Sequence, residues 1–352
     1  MERVMWGETA FRYYQVPPQV LALYPPLPQP LCDPDHAKLA QSPIVVDLLG
    51  TPIHRLVESK NNSAATKLYV SHTVSRELPF GSIRETEHGF QVASPALTLL
   101  GMASSMSKYQ LLMAAFELCG TYSTFEPDPR SEQILAHAVS QGVIGPRDGW
   151  RRTVASNGRA TNLWMREPLA SPEELAGFVA QAQGFHGVKA LTWAASHITG
   201  VCASPFEAKA SMLLGLPKAS GGMGMRFANN HRINLSSAAQ ALYQHECCYA
   251  DLYVEATDTH GPVAIECQGA SVHSGEAAGL SDARRTAALA LMGVQVLPIT
   301  YDQLAKADGW IAIKQLLAHA TGIDLAKTPR QRKAETNLRY ALFPNTDEGK
   351  AA

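Results

Sequence analysis

What the chain lacks narrows it first. No apolar run approaches the roughly 20 residues that a membrane-crossing helix needs. Charge is scarce as well: 17% of the 352 residues are Asp, Glu, Lys or Arg, and the formal net charge is −1. That balance excludes a globally basic nucleic-acid binder and leaves only a local basic patch, to be found by position. The opening MERVMWGETAFRYYQ has no charged-then-apolar order of a signal peptide, so a cytoplasmic protein is expected. The 6 cysteines, Cys32, Cys119, Cys202, Cys247, Cys248 and Cys267, show neither a framework spacing nor a C-x2-C knuckle. That pattern suits a reducing compartment better than a stapled secreted fold, and Cys247 and Cys248 after His245 read as buried thiols rather than a zinc site. No internal repeat is evident.

What is present is an ordinary globular balance, 46% apolar, on a chain longer than one usual domain. Proline dominates residues 1–41, where QVPPQVLALYPPLPQPLCDPDH predicts a partly extended arm without helix or central strand. Residues 42–122 read as a small α/β domain. Short β-like runs such as TKLYVSHTV precede a helix opened by Ser94 and Pro95 and another closed by Gly120. Residues 123–170 look like a loop-rich linker in which Arg147, Arg151 and Arg152 are surface charges rather than phosphate contacts. From Ser171 a third region, 171–325, begins with a complete capping box of Ser171 and Glu174, and 326–352 forms a basic tail.

The third region carries the chemistry. SPFEAKASMLLGLP opens a helix capped by Ser204, with Glu207 at the capping-box position, so a structural role for Glu207 competes with a catalytic one. GGMGMRFANNHRINLSSAAQALYQHE reads as a diffuse glycine-rich loop. YADLYVE and PVAIECQG, joined by a short polar turn, predict a hairpin that brings Asp251 near Glu266. The helix SDARRTAALALMG, the strand VQVLPIT and one long helix, YDQLAKADGWIAIKQLLAHATG, complete the order.

SPFE with Glu207, YADLYVE with Asp251, IECQG with Glu266, Gln268 and Gly269, then His273 and the D-x-x-R of Asp282 and Arg285 together resemble the PD-(D/E)xK nuclease superfamily. More narrowly, about residues 184–304 look like very-short-patch-repair (Vsr) endonuclease-like domains. The resemblance implies an α/β fold with a restriction-endonuclease-like mixed sheet flanked by helices, preceded here by a smaller α/β region. It implies metal-dependent cleavage or nicking of DNA. Asp251, Glu266 and the carbonyl of Cys267 would hold Mg2+ or Mn2+, which favour hard oxygen ligands. Gln268 stands where the superfamily usually has Lys; it can orient a water but contributes no charge. His273 would serve as a base or hold a water.

Nucleic-acid contacts need cations near the site. Arg284 and Arg285 on the helix and Arg226 and Arg232 in the glycine-rich segment are the candidates, with Lys327, Arg330, Arg332, Lys333 and Arg339 of the tail read as solvated surface. Asp282 and Arg285, three apart on one helix face, predict an ion pair, with phosphate contact by Arg285 the alternative. Three readings stay open. One is a DNA endonuclease or nickase. The second is a catalytically silent nuclease fold acting as a nucleic-acid-binding or toxin-antitoxin-type regulator. The third is an α/β domain that binds a protein partner, and the N-terminal region is open to such a partner.

Overall fold

The computed structural model describes residues 4–26, 41–57, 67–142, 149–155, 157–269 and 276–344. The chain is mixed α/β and forms two compact units. One comprises residues up to Thr153 with Asn162–Ile198, the other Val154–Thr161 with everything from Thr199. The boundary expected at Ser171 therefore falls inside the first unit.

Within its described part, residues 4–26, the proline-rich start is not an extended arm. Strand β1 (Val4–Met5) lies in the middle of a sheet in the order β3-β2-β1-β5-β4, where β2 is Ile53–Leu56, β3 Tyr69–His72, β4 Ile83–Glu85 and β5 Gln91–Ala93. Helix α1 (Gly7–Gln15) follows at once, and the prolines act only afterwards, with Pro18 starting the one-turn α2 (Pro18–Leu21). Helix α3 (Pro95–Met102) is capped by Ser94, whose Oγ accepts the Leu97 N–H at 3.3 Å. Helix α4 (Lys108–Cys119) starts with a capping box of Ser107 and Gln110. The segment read as a linker holds strand β6 (Tyr122–Thr124), helix α5 (Pro129–Ser140), β7 (Arg151–Val154) and β8 (Ala160–Met165), with sheet order β6-β8-β7. Helix α6 (Pro172–Gln181) has the expected box of Ser171 and Glu174, and α7 (Val188–Ala195) follows it.

In the second unit, helix α8 (Pro205–Gly215) precedes the antiparallel strands β9 (Ala228–Asn234), β10 (Cys247–Val254) and β11 (Val263–Gln268). Between β9 and β10 lies α9 (Ser237–Tyr243), so the segment read as a diffuse loop holds both a strand and a helix. Helix α10 (Glu276–Leu291) leads to β12 (Gln295–Thr300), which pairs parallel to β11. The sheet order is β12-β11-β10-β9. A core of Ile233, Cys248, Ala250, Ala264, Ala288 and Leu289 ties strands to helices.

The long helix after β12 is broken. Helix α11 (Tyr301–Ala305), boxed by Thr300 and Gln303, ends at Lys306, and α12 (Ala307–Thr321) begins. Gly309 lets the two meet, because a Cβ there would lie 2.7 Å from the Cα and O of Gln303. The tail is helical too: α13 (Pro329–Leu342) buries Glu335, Leu338 and Leu342. Three of its cations are engaged with their own unit: Lys327 on Glu335 at 2.6 Å, Arg332 on the Lys327 carbonyl at 2.6 Å and Arg339 on the Ala305 carbonyl at 2.8 Å.

Candidate active site

Ser204 and Pro205 start α8 by supplying a cap and a preset φ. Ser204 Oγ accepts the Glu207 N–H at 3.1 Å and donates to Glu207 Oε1 at 2.8 Å, while the Ala203 N–H donates to Oε2 at 2.7 Å. Both Glu207 oxygens thus serve the helix start. Burial nevertheless raises its pKa, these hydrogen bonds oppose the rise, and the charge of Glu266 adds to it.

Asp251 sits where strand pairing is irregular. Leu252 pairs with Asn229 and Ala250 with His231, and Asn230, between them, has φ +48°. The ladder between β10 and β11 runs from Val254 with Val263 to Leu252 with Ile265. At the next level a side chain takes over: the Cys267 N–H donates to Asp251 Oδ2 at 2.7 Å. Burial first, then the charges of Glu207 and Glu266, push the Asp251 carboxyl up to about 7. The predicted approach of Asp251 to Glu266 is therefore present.

Glu266 is 9% exposed. Its Oε2 lies 2.7 Å from a terminal guanidinium nitrogen of Arg285, whose other terminal nitrogen donates to the Tyr249 carbonyl at 2.9 Å. Glu266 Oε1 is buried and has no hydrogen-bond partner among the described residues. Unsatisfied buried carboxylate oxygens are costly, so this one marks a place for a ligand.

Glu207, Asp251, Glu266, Cys267 and Gln268 line one cavity of about 360 Å³, with Asp282, Arg285 and Thr286 from α10 and Val296 and Pro298 from β12. Among the described residues, four carboxylates and one cation meet there. Among the described residues no group of three or more His, Cys, Asp or Glu side chains is placed to hold a metal. A cation would therefore take Asp251, Glu266 and oxygens from backbone, water or substrate. His273 lies outside the described residues.

The other candidates are not gathered here. Arg284 is exposed on α10 outside the lining, and Arg232, also exposed, bonds Asn234. Arg226 lines a separate cavity of about 600 Å³ with Tyr253, Glu255 and His260. Arg147 lies outside the described residues, Arg151 is exposed, and Arg152 holds both oxygens of Glu132 at 3.0 and 2.9 Å. The Glu266 partnership of Arg285 was not predicted from the sequence, because helix spacing pointed to Asp282.

Comparison with protein families, with curated proteins and with solved structures finds no match for this chain. No described helix is long and apolar enough to cross a membrane.

Proposed function

We propose that the second unit is a metal-dependent phosphodiesterase that cuts or nicks DNA. The observation that carries this reading is the cavity shared by Glu207, Asp251 and Glu266, with a buried Glu266 oxygen lacking a hydrogen-bond partner among the described residues. The order helix, three antiparallel strands, helix, parallel strand supports the restriction-endonuclease-like arrangement and the PD-(D/E)xK resemblance.

The donor set fits a hard divalent cation such as Mg2+ or Mn2+, held by Asp251, Glu266 and the Cys267 carbonyl. When bound, such an ion would supply Lewis-acid charge and a more acidic water. The chain's own residues do the rest. Arg285 holds Glu266 in place, the Cys267 amide fixes Asp251, and Gln268 at the exposed end of β11 can orient a water through its amide. Net hydrolysis adds water across one P–O bond, leaving a phosphomonoester and a hydroxyl end.

A silent DNA-binding version of the same fold is the second reading, favoured by the use of both Glu207 oxygens at the cap and by the neutral Gln268. Plasmid nicking with Mg2+ separates the two. Loss of nicking in Asp251→Ala and Glu266→Ala is the enzyme's outcome; salt-sensitive, metal-independent DNA binding that survives both changes is the binder's.

A further inference from the structure

We infer that Arg285 contacts the substrate phosphate and, through its bond to Glu266, positions the metal-binding carboxylate; this rests on the phosphodiesterase reading. A phosphodiester is an anion, and the cavity is lined by Glu207, Asp251, Glu266 and Asp282. Without a cation those carboxylates would repel it. Arg285 is the single cation among the described lining residues, since Gln268 is neutral and Arg284, on the same helix, is exposed outside the lining.

The geometry suits both tasks. One guanidinium nitrogen lies 2.7 Å from Glu266 Oε2 and another donates to the Tyr249 carbonyl at 2.9 Å, so the fork is tied to two strands of the sheet. A guanidinium has five N–H donors, and these bonds use two among the described residues. The side chain is 21% exposed and lines the cavity. A planar fork held on two sides can meet phosphate oxygens with its remaining donors, which a lysine ammonium does less well. Glu266 gains a fixed direction, with Oε2 held and Oε1 left for the cation.

The test compares Arg285→Met and Arg285→Lys with the wild-type full chain by melting curve, Mg2+-dependent plasmid nicking, salt dependence of binding to a short duplex without metal, and Mn2+ binding. For Arg285→Met, nicking is expected to fall about 10²-fold. The slope of log affinity against log salt is expected to shrink by about one, and Mn2+ binding to weaken about tenfold. Arg285→Lys keeps the charge, so its salt slope should stay at the wild-type value and its nicking within about tenfold of wild type. A merely structural Arg285 would lower the melting temperature without moving the slope, and that result overturns the inference. Wild-type nicking and slope in Arg285→Met, beside a dead Glu266→Ala, overturn it while leaving the phosphodiesterase reading intact. If the Met variant does not fold, the Lys variant decides: retained slope and cleavage support the inference, and their loss from a folded protein overturns it. A wild-type chain that binds the duplex but does not nick sinks the enzyme alone, and the slope then judges the phosphate contact. A wild-type chain that neither nicks nor binds sinks both.

Discussion

Two buried carboxylates of the second unit, Glu335 and Glu266, live in opposite electrostatic circumstances. Glu335 receives Lys314 at 2.7 Å, Lys327 at 2.6 Å and the Trp310 indole N–H. Burial alone would raise its pKa, yet those hydrogen bonds and charges hold it below the usual carboxylate range. Glu266 shares one arginine with a cavity of further acids, and its neighbour Asp251 is pushed up to about 7. A fully partnered buried acid belongs to the scaffold. An under-partnered cluster in a cavity costs stability and is where a ligand gains most.

The contrast is broken most directly by removing each acid in turn. Glu266→Ala should lower Mg2+-dependent nicking by at least about 10³-fold, whereas Glu335→Ala should leave nicking per folded molecule within about twofold of wild type. Its damage should appear as stability instead: about 3 kcal/mol in urea titration at pH 7, because Lys327, with its side chain 6% exposed, and the half-buried Lys314 lose their partner. The pH dependence follows from the lowered carboxyl. Its contribution is present above the unfolded carboxylate pKa and is lost as pH falls through the folded value, so wild type and Glu335→Ala should converge in acid. Equal nicking losses in the two variants would erase the distinction.

Metal should sharpen it next. At a hundred times its dissociation constant, Mg2+ should stabilise wild type by about 2.7 kcal/mol, read as a rise in melting temperature. Glu335→Ala should keep that gain, and Glu266→Ala should lose it.

A smaller effect concerns Asp251. Its folded pKa lies above the unfolded one, so the folded state holds an extra proton between about pH 4 and 7, and stability falls as pH rises through that window. Without metal, Asp251→Asn should therefore be more stable than wild type at pH 8, and the gain should vanish near pH 4. Equal stability of the two proteins at pH 8 would show that the cluster is not strained.

Much of this site was legible in the sequence. The short turn between YADLYVE and PVAIECQG announced the hairpin, and alternation put Glu266 and Gln268 at its end. Serine caps before Pro95, Pro172 and Pro205 marked three helix starts. Strand β9 was hidden because ANNHRIN is mostly polar, burying only Asn229 and Ile233. Helix α1 was obscured by proline-rich neighbours that in fact begin after it ends. The break at Lys306 carries no proline; it brings Gly309 close against Gln303, an approach only glycine permits and a linear reading cannot see. The Arg285 partnership was equally hidden, since it joins a helix to a strand and local spacing favoured a nearer acid.

The bond from the Cys267 amide to Asp251 gives the sheet end a fastening made by a side chain rather than by the main chain. Truncating Asp251 to alanine therefore does two things at once: it removes an anion and leaves an interior N–H unanswered, loosening the seam between neighbouring strands. Asparagine keeps the fastening and discards only the charge, so the difference between the two variants measures the mechanical share of whatever Asp251 does.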